Sequence, residues 1–94
     1  MTLGTIREEI CRIDYALIDL IAERQRLAAE VAREKRHSGA SVTDPTQRNL
    51  VLNRAFDYAV AHAIDPVEVQ KIFTILIAMN EERQREYFGK GNIP

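Results

Sequence analysis

Apolar residues in the first third of the chain recur every three or four positions, on one face of a helix. They are Ile6, Ile10, Ile13, Leu17, Leu20, Leu27 and Val31. This apolar stripe predicts one long helix over about residues 4–37. Arg24 fills a gap in the stripe, Lys35 lies at its far end, and Arg7 lies one residue off its start. Cations on a face that should be buried are costly unless an anion meets them.

Two shorter helices are predicted to follow, and each opens on an aspartate-proline pair. In Asp44-Pro45-Thr46-Gln47 the aspartate can cap a helix, while proline suits the first helical position and glutamine the third. Asp65-Pro66-Val67-Glu68 repeats this arrangement. Apolar residues at helical spacing after each signal predict helices over about residues 45–62 and 66–88.

Local signals also predict where the helices end. Thr5 and Glu8 have the spacing of a capping box for the first helix, and Gly39 can take the left-handed conformation that ends it. Residues Gly89–Pro94 are predicted to be a frayed tail. The chain is therefore expected to be all-α, a single helical domain over residues 1–94.

Composition disfavours several classes of function. With 13 basic and 14 acidic residues, the net charge of −1 offers no basic field for nucleic acid and no polybasic run for a membrane. No apolar run reaches the roughly 18 residues of a membrane span and no signal peptide opens the chain, so a cytoplasmic protein is expected. Cys11, His37 and His62 form no disulfide or metal pattern, and no cofactor is expected.

The length of the first helix predicts a second copy of the chain. Counted from Ile6 to Arg36, the first helix has about 31 residues and is roughly 46 Å long, whereas a compact domain of this size is roughly 30 Å across. The first helix would overhang its own domain while the apolar stripe continues to both ends. A homodimer with intertwined first helices covers this overhang economically.

All three predicted helices become polar on their inner faces near one end. The third helix continues its apolar spacing into Asn80 and Gln84, and the second runs back to Arg48. With Arg24 and Lys35 these are hydrogen-bond donors without a carboxylate among them, a set that fits a small dianion in a dry pocket. Taken singly, each has a structural alternative, since a stripe arginine often snorkels and Gln84 lies near a helix end.

Five segments stand in a fixed order along the chain. They are Ile6-Arg7-Glu8-Glu9-Ile10 with Ile13-Asp14, Leu20-Ile21-Ala22-Glu23-Arg24, Val31-Ala32-Arg33-Glu34-Lys35, Val42-Thr43-Asp44-Pro45, and Ile72-Phe73 leading to Asn80 and Gln84. Each segment is weak evidence alone, whereas their order and spacing together are specific. The ordered set resembles the all-helical (AroQ-type) chorismate mutases over nearly the whole chain. The resemblance implies an intertwined homodimer of three-helix subunits that rearranges chorismate to prephenate, a step towards phenylalanine and tyrosine.

The resemblance also implies a pericyclic reaction without nucleophile, acid, base, metal or cofactor. The site selects a compact conformer of chorismate and stabilises the charge that develops on the ether oxygen. Carried over by position, Arg7 reaches across the dimer to one substrate carboxylate, and Arg24 pairs with the other or shares this task. Lys35 and Gln84 donate to the ether oxygen.

Further residues are implied to complete the wall of the site. Asp44 and Asn80 are implied to lie around the ring hydroxyl and a carboxylate, although Asp44 on local evidence alone is a helix cap. Val31, Val51 and Ile77 are implied to line the ring.

Gln47 and Arg48 depart from the family, which usually has Arg then Glu at these positions. That Glu accepts a hydrogen bond from the substrate's ring hydroxyl. We expect Arg48 to take over a carboxylate or hydroxyl contact, with Gln47 as a neutral donor or acceptor. The departure leaves two related activities open, isochorismate pyruvate lyase and 4-amino-4-deoxychorismate mutase. The latter is disfavoured because Arg48 offers the amine no acceptor.

Two functions of another class compete with an enzyme. A weakly active helical dimer could serve as a partner subunit of another enzyme of the aromatic pathway. Docking residues should then lie on an exposed face, unlike Arg24 and Lys35, although mutase activity and such an association are compatible. A helix-turn-helix DNA binder is disfavoured, because the third helix carries Glu81, Glu82 and Glu86 beside its basic residues.

Overall fold

Three helices form most of the chain in a computed structural model that describes residues 1–92, with side chains up to Gly89. Helix α1 spans Leu3–Ser38, α2 spans Pro45–Ala61 and α3 spans Pro66–Asn92. No strand occurs within these described residues, and the all-α prediction is confirmed. At 1.5 Å per residue α1 is roughly 54 Å long, and it sets the longest dimension of the subunit, 56 Å.

Helix α1 begins earlier than the predicted capping box. The hydroxyl of Thr2 accepts a hydrogen bond from the backbone N–H of Thr5 at 3.2 Å, which makes Thr2 the N-cap. Thr5 lies inside the first turn and donates its own hydroxyl to the Thr2 carbonyl at 2.9 Å. A capping box formed by Thr5 and Glu8 is therefore wrong. The other end is as predicted, since Gly39 takes the left-handed conformation with φ 77°.

Both aspartate-proline pairs start helices, as predicted. Asp44 Oδ1 accepts from the backbone N–H of Gln47 at 3.0 Å, and Asp65 Oδ1 accepts from that of Val67 at 3.0 Å. The predicted frayed tail is wrong over Gly89–Asn92, because α3 continues through it. A glycine inside a helix costs only about 1 kcal/mol, too little to end α3. The rest of that tail, Ile93 and Pro94, lies outside the described residues.

Helix α3 packs between the other two helices and connects them. It packs against both α1 and α2, whereas α1 and α2 do not pack against each other anywhere in the described part of the chain. Small side chains allow these close approaches, and they form most of the buried apolar set: Ala28, Ala32, Val51, Ala55 and Ala59. The end of α1, the start of α2 and the second half of α3 are thereby brought to one place.

The apolar stripe of α1 stays largely uncovered in one subunit. Ile10 is 52% exposed, Leu17 52% and Leu20 60%. Between α1 and α3 the stripe borders an apolar groove of about 640 Å³, which Leu27 and Phe73 also line. Scattered apolar residues are normal on a protein surface, but a contiguous face of this kind marks an interaction surface. No helix within the described residues is long and apolar enough to span a membrane.

Candidate active site

The polar ends of the three helices meet around one cavity of about 130 Å³. Seven of the eight site residues predicted from the sequence border it. They are Arg24, Lys35, Asp44, Gln47, Arg48, Asn80 and Gln84. These residues lie up to 60 positions apart in the chain, so the helix packing, and not local sequence, brings them together.

The structure does not bring Arg7 or Val31 to this cavity. Arg7 lies on the same straight helix as Arg24, about 17 residues or roughly 26 Å before it, which no side chain can span. Val31 is 43% exposed and does not border the cavity of a single subunit. Val51 and Ile77, the other residues expected beside the substrate ring, do border it.

Lys35 and Gln84 form a pair of donors across α1 and α3. Lys35 Nζ donates to the carbonyl of Val42 at 2.7 Å and to Gln84 Oε1 at 3.0 Å. An ammonium group has three N–H bonds and can only donate, so one N–H remains for a ligand. The same contact fixes the Gln84 amide with its oxygen towards Lys35. Gln84 is buried, and its NH₂ group has no partner among the described side chains.

Arg24 is held in place by an amide chain. Its guanidinium donates to Asn80 Oδ1, and Asn80 Nδ2 donates in turn to Gln25 Oε1 at 2.6 Å. The guanidinium also lies 5.7 Å from the ring centroid of Phe73, a cation–π distance. Both ends of the Asn80 amide are thus occupied by α1 side chains, and Asn80 orients Arg24 at the edge of the cavity.

The start of α2 forms the opposite wall. Asp44 is exposed, and its Oδ1 accepts the capping hydrogen bond from the backbone N–H of Gln47. Its second carboxylate oxygen has no partner among the described residues. The side chain of Gln47 also borders the cavity. The free backbone N–H groups and the positive dipole of a helix N-terminus favour an anion at this wall.

Glu81 is a site residue that the sequence reasoning missed. It borders the cavity, and its Oε1 accepts from Arg48 at 3.0 Å. The side chain of Glu81 is 12% exposed, against 44% for Arg48, so the carboxylate is the inner member of the pair. The inward-facing donors identified from the sequence included no carboxylate, and Glu81 adds one beside them. Glu81 lies four residues after Ile77 and three before Gln84, and this helical spacing was the available signal.

Arg33, an exposed residue of α1, contacts Tyr87 of α3. A hydrogen bond with Tyr87 raises the pKa of the Arg33 guanidinium, and the nearby Glu30 carboxylate raises it further. Arg33 is therefore charged at any physiological pH. Within the described part of the chain, no group of three or more His, Cys, Asp or Glu side chains is placed to hold a metal ion.

The chain is thus a three-helix protein in which cations and amide groups from all three helices surround one small cavity. Residues 6–85 match the family described as Chorismate mutase type II. The chain is 36% identical over 85 residues to a chorismate mutase of Methanocaldococcus jannaschii, covering 90% of this chain and 86% of that protein. The chain therefore belongs to the type II chorismate mutase family.

Two other relatives show how the matched region varies in context. The chain is 33% identical over 75 residues to the bifunctional chorismate mutase/prephenate dehydratase of Escherichia coli, of which it covers only 19%. It is 29% identical over 75 residues to the 4-amino-4-deoxychorismate mutase of Streptomyces venezuelae, covering 80% of this chain and 73% of that protein.

Proposed function

We propose that this protein is a chorismate mutase, an isomerase that converts chorismate to prephenate. The observation that carries the proposal is the contact of Lys35 with Gln84, which places two donor groups side by side at one cavity. Family membership and the identity to the chorismate mutase of M. jannaschii support it.

The proposed chemistry needs charge stabilisation only. In the rearrangement the ether C–O bond of chorismate breaks while a C–C bond forms, and negative charge develops on the ether oxygen. The remaining N–H of Lys35 and the NH₂ group of Gln84 donate to that oxygen. Because both groups are fixed by their contact before substrate arrives, little reorganisation opposes the reaction.

Arg24 and Arg7 bind the two substrate carboxylates in this proposal. Within one subunit the cavity has three cations (Arg24, Lys35 and Arg48) and two carboxylates (Asp44 and Glu81), which leave one net positive charge. Arg7 of a second copy would raise the net charge to two and match the substrate dianion. Asp44, Gln47, Arg48 and Asn80 complete the polar wall.

An intertwined homodimer is part of the proposal. The exposed apolar stripe and the groove beside it need cover, and a second copy carries the complementary apolar stripe. A cavity of about 130 Å³ is smaller than the roughly 300–1,000 Å³ of ordinary small-molecule sites, as expected of a site that a second subunit completes. Arg7 is too far from the cavity of its own chain to act there, and in the dimer it reaches the cavity of the second copy.

A second candidate substrate is 4-amino-4-deoxychorismate. Arg48 alone offers an amine no acceptor, but Glu81 does, because its Oε2 has no partner among the described residues. The relative in S. venezuelae carries this activity in its name. No contact among the described residues favours the isochorismate lyase reaction.

Two predictions about the cellular setting stay predictions. Association with another enzyme of the aromatic pathway is supported by relatives in which the matched region is part of a bifunctional protein. A cytoplasmic location rests on the sequence pattern alone. Co-purification and cell fractionation would test them.

Turnover of chorismate by the purified protein tests the main proposal. We expect chorismate absorbance to fall and chromatography to identify prephenate as the product. The same assay with 4-amino-4-deoxychorismate compares the two candidates through kcat/KM. Pyruvate release from isochorismate without any turnover of chorismate would contradict the proposal.

A further inference from the structure

Glu81 is unexpected in a cavity that is to bind a dianion. Its side chain is 12% exposed and borders the cavity together with Lys35, Arg48 and Gln84. A carboxylate there repels the substrate carboxylates. It is tolerated because Arg48 donates to its Oε1 at 3.0 Å and balances its charge.

The free oxygen of Glu81 selects one kind of substrate group. Ionised carboxylates only accept hydrogen bonds, so Oε2 can be satisfied only by a donor. The chorismate dianion has two carboxylates, an ether oxygen and one hydroxyl on its ring. The hydroxyl is its single donor, and the amine of 4-amino-4-deoxychorismate occupies the same ring position.

We propose that Glu81 is the specificity-determining residue of this site, and that its carboxylate accepts a hydrogen bond from the ring hydroxyl of chorismate. Arg48 is a positioning residue that holds Glu81 from the outside through its guanidinium. This inference rests on the proposed function. It gives the acceptor role to Glu81 of α3, because Arg48 is a cation that cannot accept a hydrogen bond from the hydroxyl.

The test pairs a variant with a substrate analogue. kcat/KM is measured for Glu81→Ala and Glu81→Gln on chorismate and on the analogue in which hydrogen replaces the ring hydroxyl. We expect Glu81→Ala to lower kcat/KM on chorismate by about 10- to 100-fold, the range for a hydrogen bond to a charged group. On the analogue the loss should be less than about threefold, because the lost hydrogen bond does not exist there.

Glu82→Gln is the matched control. Glu82 is the next residue on α3, its side chain is 65% exposed, and it pairs with Arg85 away from the cavity. It should leave kcat/KM unchanged on both substrates. Equal losses for Glu81→Ala on chorismate and on the analogue would overturn the assignment, because a structural role does not distinguish them.

Variants at Arg48 separate positioning from recognition. Arg48→Ala leaves an unbalanced carboxylate beside the substrate dianion, so KM should rise several-fold on both substrates. It also releases Glu81, so the loss in kcat/KM should be larger on chorismate, which alone has the hydroxyl. Arg48→Lys keeps the cation and should restore most of the loss. An Arg48→Ala loss that is no larger on chorismate than on the analogue would overturn the positioning role of Arg48.

The outcome also distinguishes this inference from the proposed function. An inactive wild-type protein overturns both. An active wild type whose Glu81→Ala variant loses nothing on chorismate overturns the Glu81 assignment alone, and leaves the mutase proposal standing.

Discussion

Lys35 uses two of its three N–H groups inside the subunit, for Val42 and Gln84. In the proposed reaction the third donates to the ether oxygen, where charge develops in the transition state. Lys35→Ala should therefore lower kcat by about 100- to 1,000-fold, as removal of one such donor does elsewhere. Initial rates of chorismate loss with purified protein measure this directly.

Lys71→Ala is the control for Lys35. Lys71 lies on α3, is well exposed and pairs with Glu68 within its own helix. Its removal should change kcat by less than about twofold, because Lys71 does not border the cavity and its exposed i,i+3 pair contributes little to stability. A Lys35→Ala variant with wild-type kcat and an unchanged circular dichroism spectrum would refute the role given to its third N–H.

Gln84→Glu should make activity depend on pH. The introduced carboxyl can donate to the ether oxygen only while it is protonated, so turnover should be low at neutral pH and rise as the pH falls. The Lys35 ammonium, which lies 3.0 Å from the present amide oxygen, favours the ionised form and moves this rise towards acid. A kcat profile from pH 4 to 8, with wild type alongside, tests the sign. A loss equal at every pH would show that Gln84 does not donate.

Among individual side chains, the sequence revealed the hydrogen-bond donors of the site but not the acceptor Glu81. Arg24, Lys35 and Asn80 stood out because each replaced an apolar residue on a helical stripe. Glu81 entered the sequence analysis only with Glu82 and Glu86, as acidic residues that disfavour a basic DNA-recognition helix. Its spacing from Ile77 and Gln84 indicates the inner face of α3, whereas its 3.0 Å contact with Arg48 depends on how α3 packs against α2, which local spacing does not give.

Asp44 connects the start of α2 to the wall of the site. Its Oδ1 caps the backbone N–H of Gln47 at 3.0 Å. Asp44→Ala should lower the free energy of unfolding by about 1 kcal/mol, and Asp44→Ser, which can still cap, should restore most of it. Urea denaturation at one fixed protein concentration measures the change, since oligomer stability depends on concentration.

Activity of the same two variants then separates capping from binding. If the Asp44 carboxylate also contacts substrate, Asp44→Ser should keep wild-type stability and still show a raised KM. Full recovery of KM in Asp44→Ser would mean that Asp44 acts as a cap alone.

Helix starts were predicted well because their signals are local. Asp44 and Asp65 cap the residues that the sequence indicated, and Gly39 ends α1. The two wrong predictions, the start of α1 and the end of α3, depend on free-energy differences of only about 1 kcal/mol. Thr2 and Thr5 both have a hydroxyl that could cap α1. Capping by Thr2 makes the helix about one turn longer. Gly89 weakens a helix by about 1 kcal/mol without ending it.

The whole molecule is elongated, and the longest of its helices is covered on one side only. It measures 56 by 28 by 15 Å, and its longest helix packs on a single neighbour within the described residues. The sequence predicted an uncovered first helix from its length and from an apolar stripe that continues to both ends. It could not predict the groove beside the stripe, because the groove depends on where α3 crosses α1.

Arg7 and Lys35 lie about 28 residues apart on one helix, roughly 42 Å, so a site that needs both must draw on two chains. Mixing an Arg7→Ala variant with a Lys35→Ala variant, through unfolding and refolding, should therefore restore activity. Each mixed dimer has one intact site and one site with both changes. Random pairing makes about a quarter of all sites intact, so about a quarter of wild-type activity is expected.

A mixture of Arg24→Ala and Lys35→Ala variants is the control, because these two residues act in the same cavity of one chain. Every site in its mixed dimers retains one defect, and activity should stay at the level of the separate variants. If both mixtures stay inactive, Arg7 does not act across the interface. If both mixtures recover equally, the proposal that Arg24 and Lys35 of one chain act together in one site is wrong. Recovery in the first mixture alone would assign Arg7 to the neighbouring subunit's site.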